Sequence, residues 1–121
     1  MNMVYKITQD VAEQELIDPS ELKVLQDVLS AAIEVTRKNS IILAPERWLA
    51  VGVHLLAAIR RAKNNETLPP IDQTILEQVC PDMLELSRQV LDKLFAGVQK
   101  DDTEVLLLAV HFEAAKEIEL K

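Results

Sequence analysis

Two imidazoles are the residues of this 121-residue chain most suited to chemistry. His54 lies in the apolar stretch from Trp48 to Ile59, and His111 in the stretch from Glu104 to Phe112. Proton, metal and phosphoryl chemistry of imidazole all fall near neutral pH. On a helix, the side chains three, four and seven residues from His54 share its face. These are Ala50, Val51, Ala57, Ala58, Arg47 and Arg61. Small neighbours leave the ring accessible. A guanidinium disfavours imidazolium, keeps a lone pair free, and stabilises an added dianion. That pattern suits a phosphoacceptor better than a metal ligand. His111 has Leu107, Leu108, Ala114 and Ala115 around it, with Glu104 two turns back. Glu104 orients that ring if the helix packs against another chain. It is also the fourth residue of an Asp101 capping box, which suffices to explain it.

The commoner reading of either histidine is a hydrogen-bonded core residue. A zinc site needs three or four protein ligands. Here there are two histidines, one cysteine, and no His-x₃-His or Cys-x₂-Cys spacing. No nucleophile elbow or glycine-rich phosphate loop is present, so neither an enzyme nor a cofactor is expected. Arg60-Arg61 reads as a solvated helix end, and Cys80 beside Pro81 as a packing residue.

The elements that must carry the two rings are helical. A short helix or frayed lead covers residues 3–16. Asp18-Pro19-Ser20-Glu21 predicts a capped helix start. The helix that follows has one stripe of Leu22, Leu25, Leu29, Ala32, Ile33 and Thr36. A second stripe is Val24, Val28, Ala31 and Val35. Two stripes predict burial on two sides, as in a bundle or a dimer. The helix ends at Asn39-Ser40. Pro45 opens a helix that runs to about Asn64, before a turn containing Pro69-Pro70. Residues 72–79 read as a short helical segment. Pro81 restarts a helix with Met83, Leu84, Ser87, Val90, Leu91, Leu94 and Phe95 inward, and Gly97 just past its end. The last helix runs from the Asp101 box to about Glu119.

Composition bounds the function. The length fits one domain. A net charge of −7 makes direct nucleic-acid binding unexpected and favours a basic protein partner. One cysteine excludes an intrachain disulfide and fits a reducing cytosol. The amino terminus shows no signal-peptide pattern. The longest uncharged run, Trp48–Ile59, is far below the roughly 20 residues of a membrane span. A cytoplasmic protein with no membrane contact is expected.

His54-Leu-Leu-Ala-Ala-Ile-Arg60-Arg61, the turn with its prolines, Ile75–Pro81, Leu84–Leu94 and Asp102–Phe112 together resemble the PTS regulation domain (PRD). That family regulates bacterial antiterminators and transcriptional activators through the sugar phosphotransferase system. The resemblance covers roughly residues 20–118. Its pattern places an arginine seven residues after the first histidine and an acid seven before the second, as Arg61 and Glu104 stand here. It implies an all-α, compact five-helix bundle that pairs as a dimer. His54 and His111 would be phosphorylated, with Arg61 and Glu104 as the family's arginine and acid. The family commonly has Asp before the first histidine, where this chain has Val53. Its domains usually occur in tandem, fused to an output module.

The expected organisation is a lead at 1–19 and a PRD-like domain at 20–121. The expected function is a regulatory domain phosphorylated on His54 or His111, with Arg61, Arg47 and Glu104 in support. The phosphoryl donor would be a phosphocarrier protein or a sugar-permease component. The output on transcription or antitermination would pass through a separate protein. The alternative is a phosphorylation-blind interaction or dimerisation module, binding through the helix at 21–38. A third reading is a metal- or ligand-binding bundle.

Overall fold

The computed structural model describes residues 3–64, 66, 72–92 and 102–120, with backbone alone at 73, 76, 102 and 115–120. Its elements are α1 (Met3–Gln14), α2 (Pro19–Lys38), α3 (Pro45–Lys63), α4 (Gln73–Glu77), α5 (Pro81–Leu91) and α6 (Asp102–Leu120). There are no strands among the described residues. The expected all-α bundle is therefore built from five helices of 11 or more residues, joined by the five-residue α4.

The amino-terminal lead is helical. Ile7 and Val11, one turn apart on α1, are buried against the bundle. They close on Gly52 of α3, where the missing side chain admits them.

The start of α2 follows the capping pattern. Asp18 Oδ1 accepts from the Glu21 backbone N–H at 3.0 Å, and the Asp18 N–H donates to Glu21 Oε1 at 3.2 Å. Pro19 occupies the first turn, where its missing N–H costs nothing. Glu21 also receives Arg60, at 3.0 Å from Nε to Oε2 and 3.2 Å from an η-nitrogen to Oε1. Arg60 further donates to the Leu16 carbonyl. The expected solvated end at Arg60 is thus a tie between the end of α3 and the start of α2. Asp18→Ala should melt below wild type, and Asp18→Asn, which keeps an acceptor oxygen, close to wild type by circular dichroism.

Both stripes of α2 are used inside this chain. Leu25, Val28, Leu29 and Ala32 are fully enclosed, and α2 packs on α1, α3 and α5. The two-sided pattern is thus met within the bundle.

Pro45 begins α3 and Asn64 ends it. The short helical segment expected at 72–79 is α4. On α5, Met83, Leu84, Ser87, Val90 and Leu91 are buried as expected. Leu94, Phe95, Gly97 and Asp101 lie outside the described residues. Cys80 is partly buried, and its backbone N–H donates to Glu113 Oε1 of α6 at 2.9 Å, so α6 caps α5. The buried Ser87 hydroxyl donates to the Val105 carbonyl at 2.8 Å. Phe112 and Leu108 of α6 close the core with no exposed surface. No helix among the described residues is long and apolar enough to cross a membrane.

Candidate functional site

The two histidines meet between α3 and α6. Their ring centroids lie 6.2 Å apart, with planes tilted by 35°. The helices run antiparallel here: Arg47, early in α3, reaches His111, midway along α6, while Arg61, late in α3, reaches Glu104, early in α6.

Seven residues span two turns, about 10.5 Å along the axis. Arg47, His54 and Arg61 therefore form three levels on α3, and Glu104 and His111 two levels on α6. The levels interleave. Arg47 lies 3.4 Å from His111 Nδ1, and His54 Nε2 lies 3.3 Å from Glu104 Oε1. Arg61 grips Glu104 with both arms, Nε to Oε2 at 2.8 Å and an η-nitrogen to Oε1 at 2.7 Å.

All five residues singled out in the sequence thus share one site, with altered partners. Glu104 orients His54 across the helix interface and not His111 on its own helix. Arg47 serves His111, not His54. Arg61 holds the carboxylate that holds His54. Both Glu104 oxygens are engaged in this way, so the carboxylate acts as the centre of the site; the Asp101 half of the expected capping box lies outside the described residues. The signal in the sequence was the shared spacing of seven in 47/54/61 and 104/111. Two helices with the same polar period can face each other as a ladder.

Charge and burial set the proton states. The Glu104 side chain is 2% exposed. Burial alone would push its carboxyl up. The hydrogen bonds from His54 and Arg61, with the guanidinium charge, outweigh this and hold it below its ordinary value. An ionised carboxylate only accepts, so His54 Nε2 carries a proton. Of the two neutral tautomers, this contact selects the one with its lone pair on Nδ1. That atom is buried and has no hydrogen-bond partner among the described residues. A guanidinium only donates, so His111 Nδ1 accepts from Arg47 and neutral His111 carries its proton on Nε2. Burial, then the charges of His54 and Arg47, push His111 below its ordinary value and favour the neutral ring.

No group of three or more His, Cys, Asp or Glu side chains suited to a metal occurs among the described residues. The arrangement holds two imidazoles, His111 favoured in its neutral form, beside two guanidinium groups. That combination can accept an anionic group at a ring nitrogen.

The sequence reading did not single out the outer face of α6. Leu107 and Val110, one turn apart, are 41% and 46% exposed beside His111. The near-continuous apolar run of α6 was the available signal, since a helix apolar on all sides seeks cover on all sides.

No curated protein matches the chain. A PRD-containing transcription regulator from Lactobacillus casei ATCC 334 has a similar solved structure, with a TM-score of 0.77 and 22% sequence identity. The similarity covers 97% of both chains. At that identity the likeness establishes the fold. The family model for the PRD domain matches residues 30–115, more than two thirds of the chain and the whole of the His54–His111 ladder. By this match the chain belongs to the PRD domain family.

Proposed function

We propose that this PRD is a regulatory domain phosphorylated on histidine by the sugar phosphotransferase system. It controls transcription or antitermination through a separate output protein, in the cytoplasm. It is not an enzyme: it accepts a phosphoryl group from a phosphocarrier protein or a sugar-permease component. The observation that carries this reading is the pairing of two imidazoles 6.2 Å apart with a guanidinium at each end of the ladder. A phosphoryl group adds about −1.5 to −2 charge. Placed in this ladder, it draws on the Arg47 guanidinium or competes with Glu104 for Arg61, and shifts the packing of α3 on α6. The exposed Leu107–Val110 face of α6 lies on the same helix as His111. It fits a homodimer whose pairing responds to that shift.

Val53 packs against the core, where the family commonly has an acid beside the first histidine. Glu104 brings a carboxylate to His54 from the other helix, so the ring does not lack an acid. The test is intact mass after incubation with phosphoenolpyruvate, the general phosphotransferase enzyme and its phosphocarrier, then with a sugar-permease component. The expected result is acid-labile phosphoryl uptake that falls when His54 or His111 is replaced. Equal uptake in wild type, His54→Ala and His111→Ala would remove both sites.

The second reading is a phosphorylation-blind interaction module. The burial of His54 Nδ1 favours it. It predicts that replacing both histidines with glutamine leaves partner affinity unchanged.

A further inference from the structure

The two rings differ in what they offer a phosphoryl donor. Transfer between proteins needs a ring nitrogen with a lone pair, a path for the donor and a cation for the arriving oxygens. His54 offers neither nitrogen: Nε2 is turned to Glu104, and Nδ1 is enclosed. Its side chain is 11% exposed. His111 is partly buried, as the His54 ring is, but it differs in standing beside the exposed Leu107 and Val110 positions and in having no nitrogen enclosed without a partner. Its Nδ1 holds the lone pair and faces the partly exposed Arg47 at 3.4 Å.

We propose that His111 Nδ1 is the phosphoryl-accepting atom of this domain, and that Arg47 is the residue that binds the phosphoryl group there. The proposal rests on the phosphohistidine reading above and names its atom and its cation. Arg47 performs two tasks in turn. Before transfer, it fixes the tautomer by donating to Nδ1, so the nucleophilic lone pair is on that nitrogen. During transfer, its guanidinium swings back on its stem and donates to the phosphoryl oxygens by charge-assisted bonds. His54, held by Glu104, is then a positioning residue that packs beside the accepting ring.

The step balances without a further reactant. The donor is a phosphohistidine protonated on its other ring nitrogen. The His111 Nδ1 lone pair forms a bond to phosphorus as the donor P–N bond breaks. The electron pair of that bond stays on the donor, which leaves as neutral imidazole. His111 keeps its Nε2 proton and takes the positive ring charge. The Nε2 proton can then leave to solvent.

Two donors test this, the phosphotransferase chain above and the small molecule phosphoramidate, which needs no protein docking. Wild-type protein labelled with ¹⁵N-histidine is phosphorylated, and the bonded nitrogen is read from ¹⁵N–³¹P coupling. The expected result is phosphorus on His111 Nδ1. Because this assignment uses wild type, no variant's folding enters it. Uptake rates by intact mass should vanish in His111→Gln and fall only in part in His54→Gln, which disturbs the positioning of the accepting ring but leaves the accepting atom in place. Arg47→Gln should slow uptake by about tenfold, the loss of one charge-assisted contact, with partial recovery in Arg47→Lys. Phosphorus on His54 or on His111 Nε2, or uptake by Arg47→Gln at the wild-type rate, would overturn the assignment and leave the phosphohistidine function intact. No uptake by wild type from either donor would overturn both.

Discussion

Replacing Glu104 by alanine should lower the unfolding free energy by about 3 kcal/mol, the low end for breaking a buried ion pair. The carboxylate is 2% exposed and takes both arms of Arg61, and His54 besides. Its removal leaves a guanidinium and an imidazole facing a void. Arg61 is 21% exposed, so part of its charge can turn to water, which keeps the loss at the low end. Glu104→Gln keeps the shape and one acceptor, and should cost about 1–2 kcal/mol. Urea unfolding followed by circular dichroism reads both. A loss below about 0.5 kcal/mol, the range of ordinary surface substitutions, would mean that the carboxylate does not hold the ladder.

The same substitution should change the response to acid. Glu104 is held below its ordinary value, so the folded state binds its proton less tightly than the unfolded chain. Its contribution is present above that ordinary value and is lost as pH falls through the lowered one. The difference between wild type and Glu104→Ala should therefore shrink on acidification. His111 is also lowered, from an ordinary 6.5. Its stabilising effect is likewise present above 6.5 and lost as pH falls through that value toward the lower folded one. Both groups weaken the native state in acid.

Gly52→Val should cost about 3 kcal/mol, the upper part of the usual range for overpacking. A side-chain carbon at Gly52 would lie 2.7 Å from Val11 Cγ2 and 3.1 Å from Ile7 Cγ2. Val11 is β-branched and has essentially one rotamer in a helix, so it cannot swing aside. At an open helical site Gly→Ala gains about 1 kcal/mol. Here the gain is offset, and Gly52→Ala should be destabilising until Val11→Ala makes room. Thermal unfolding and the rate of proteolysis within residues 1–18 check this. A Gly52→Ala protein more stable than wild type would show that α1 does not seat on α3.

Much of this architecture was written locally. Pro19, Pro45 and Pro81 each open a helix at the position their missing N–H allows. The Asp18–Glu21 box needs four consecutive residues and no tertiary contact. His54, His111, Arg61 and Glu104 were visible because two helices carry polar residues at a period of seven in apolar surroundings. The role of α1 was not legible. Its apolar positions are few, and their value depends on Gly52, some 40 residues away in the chain.

The sequence alone therefore marked most of the helix starts and singled out the five side chains that the fold brings together. Those follow from backbone sterics, capping and periodicity, all settled within a few residues. The tertiary structure decided who partners whom. Residues seven apart on one helix are about 10.5 Å apart, too far to touch. Glu104 and Arg47 could meet an imidazole only across the antiparallel contact of α3 with α6. That contact gives Glu104 to His54 and Arg47 to His111, encloses one Nδ1 and leaves the other ring beside the exposed Leu107 and Val110. Burial and register are properties of the packed pair, and neither helix carries them by itself.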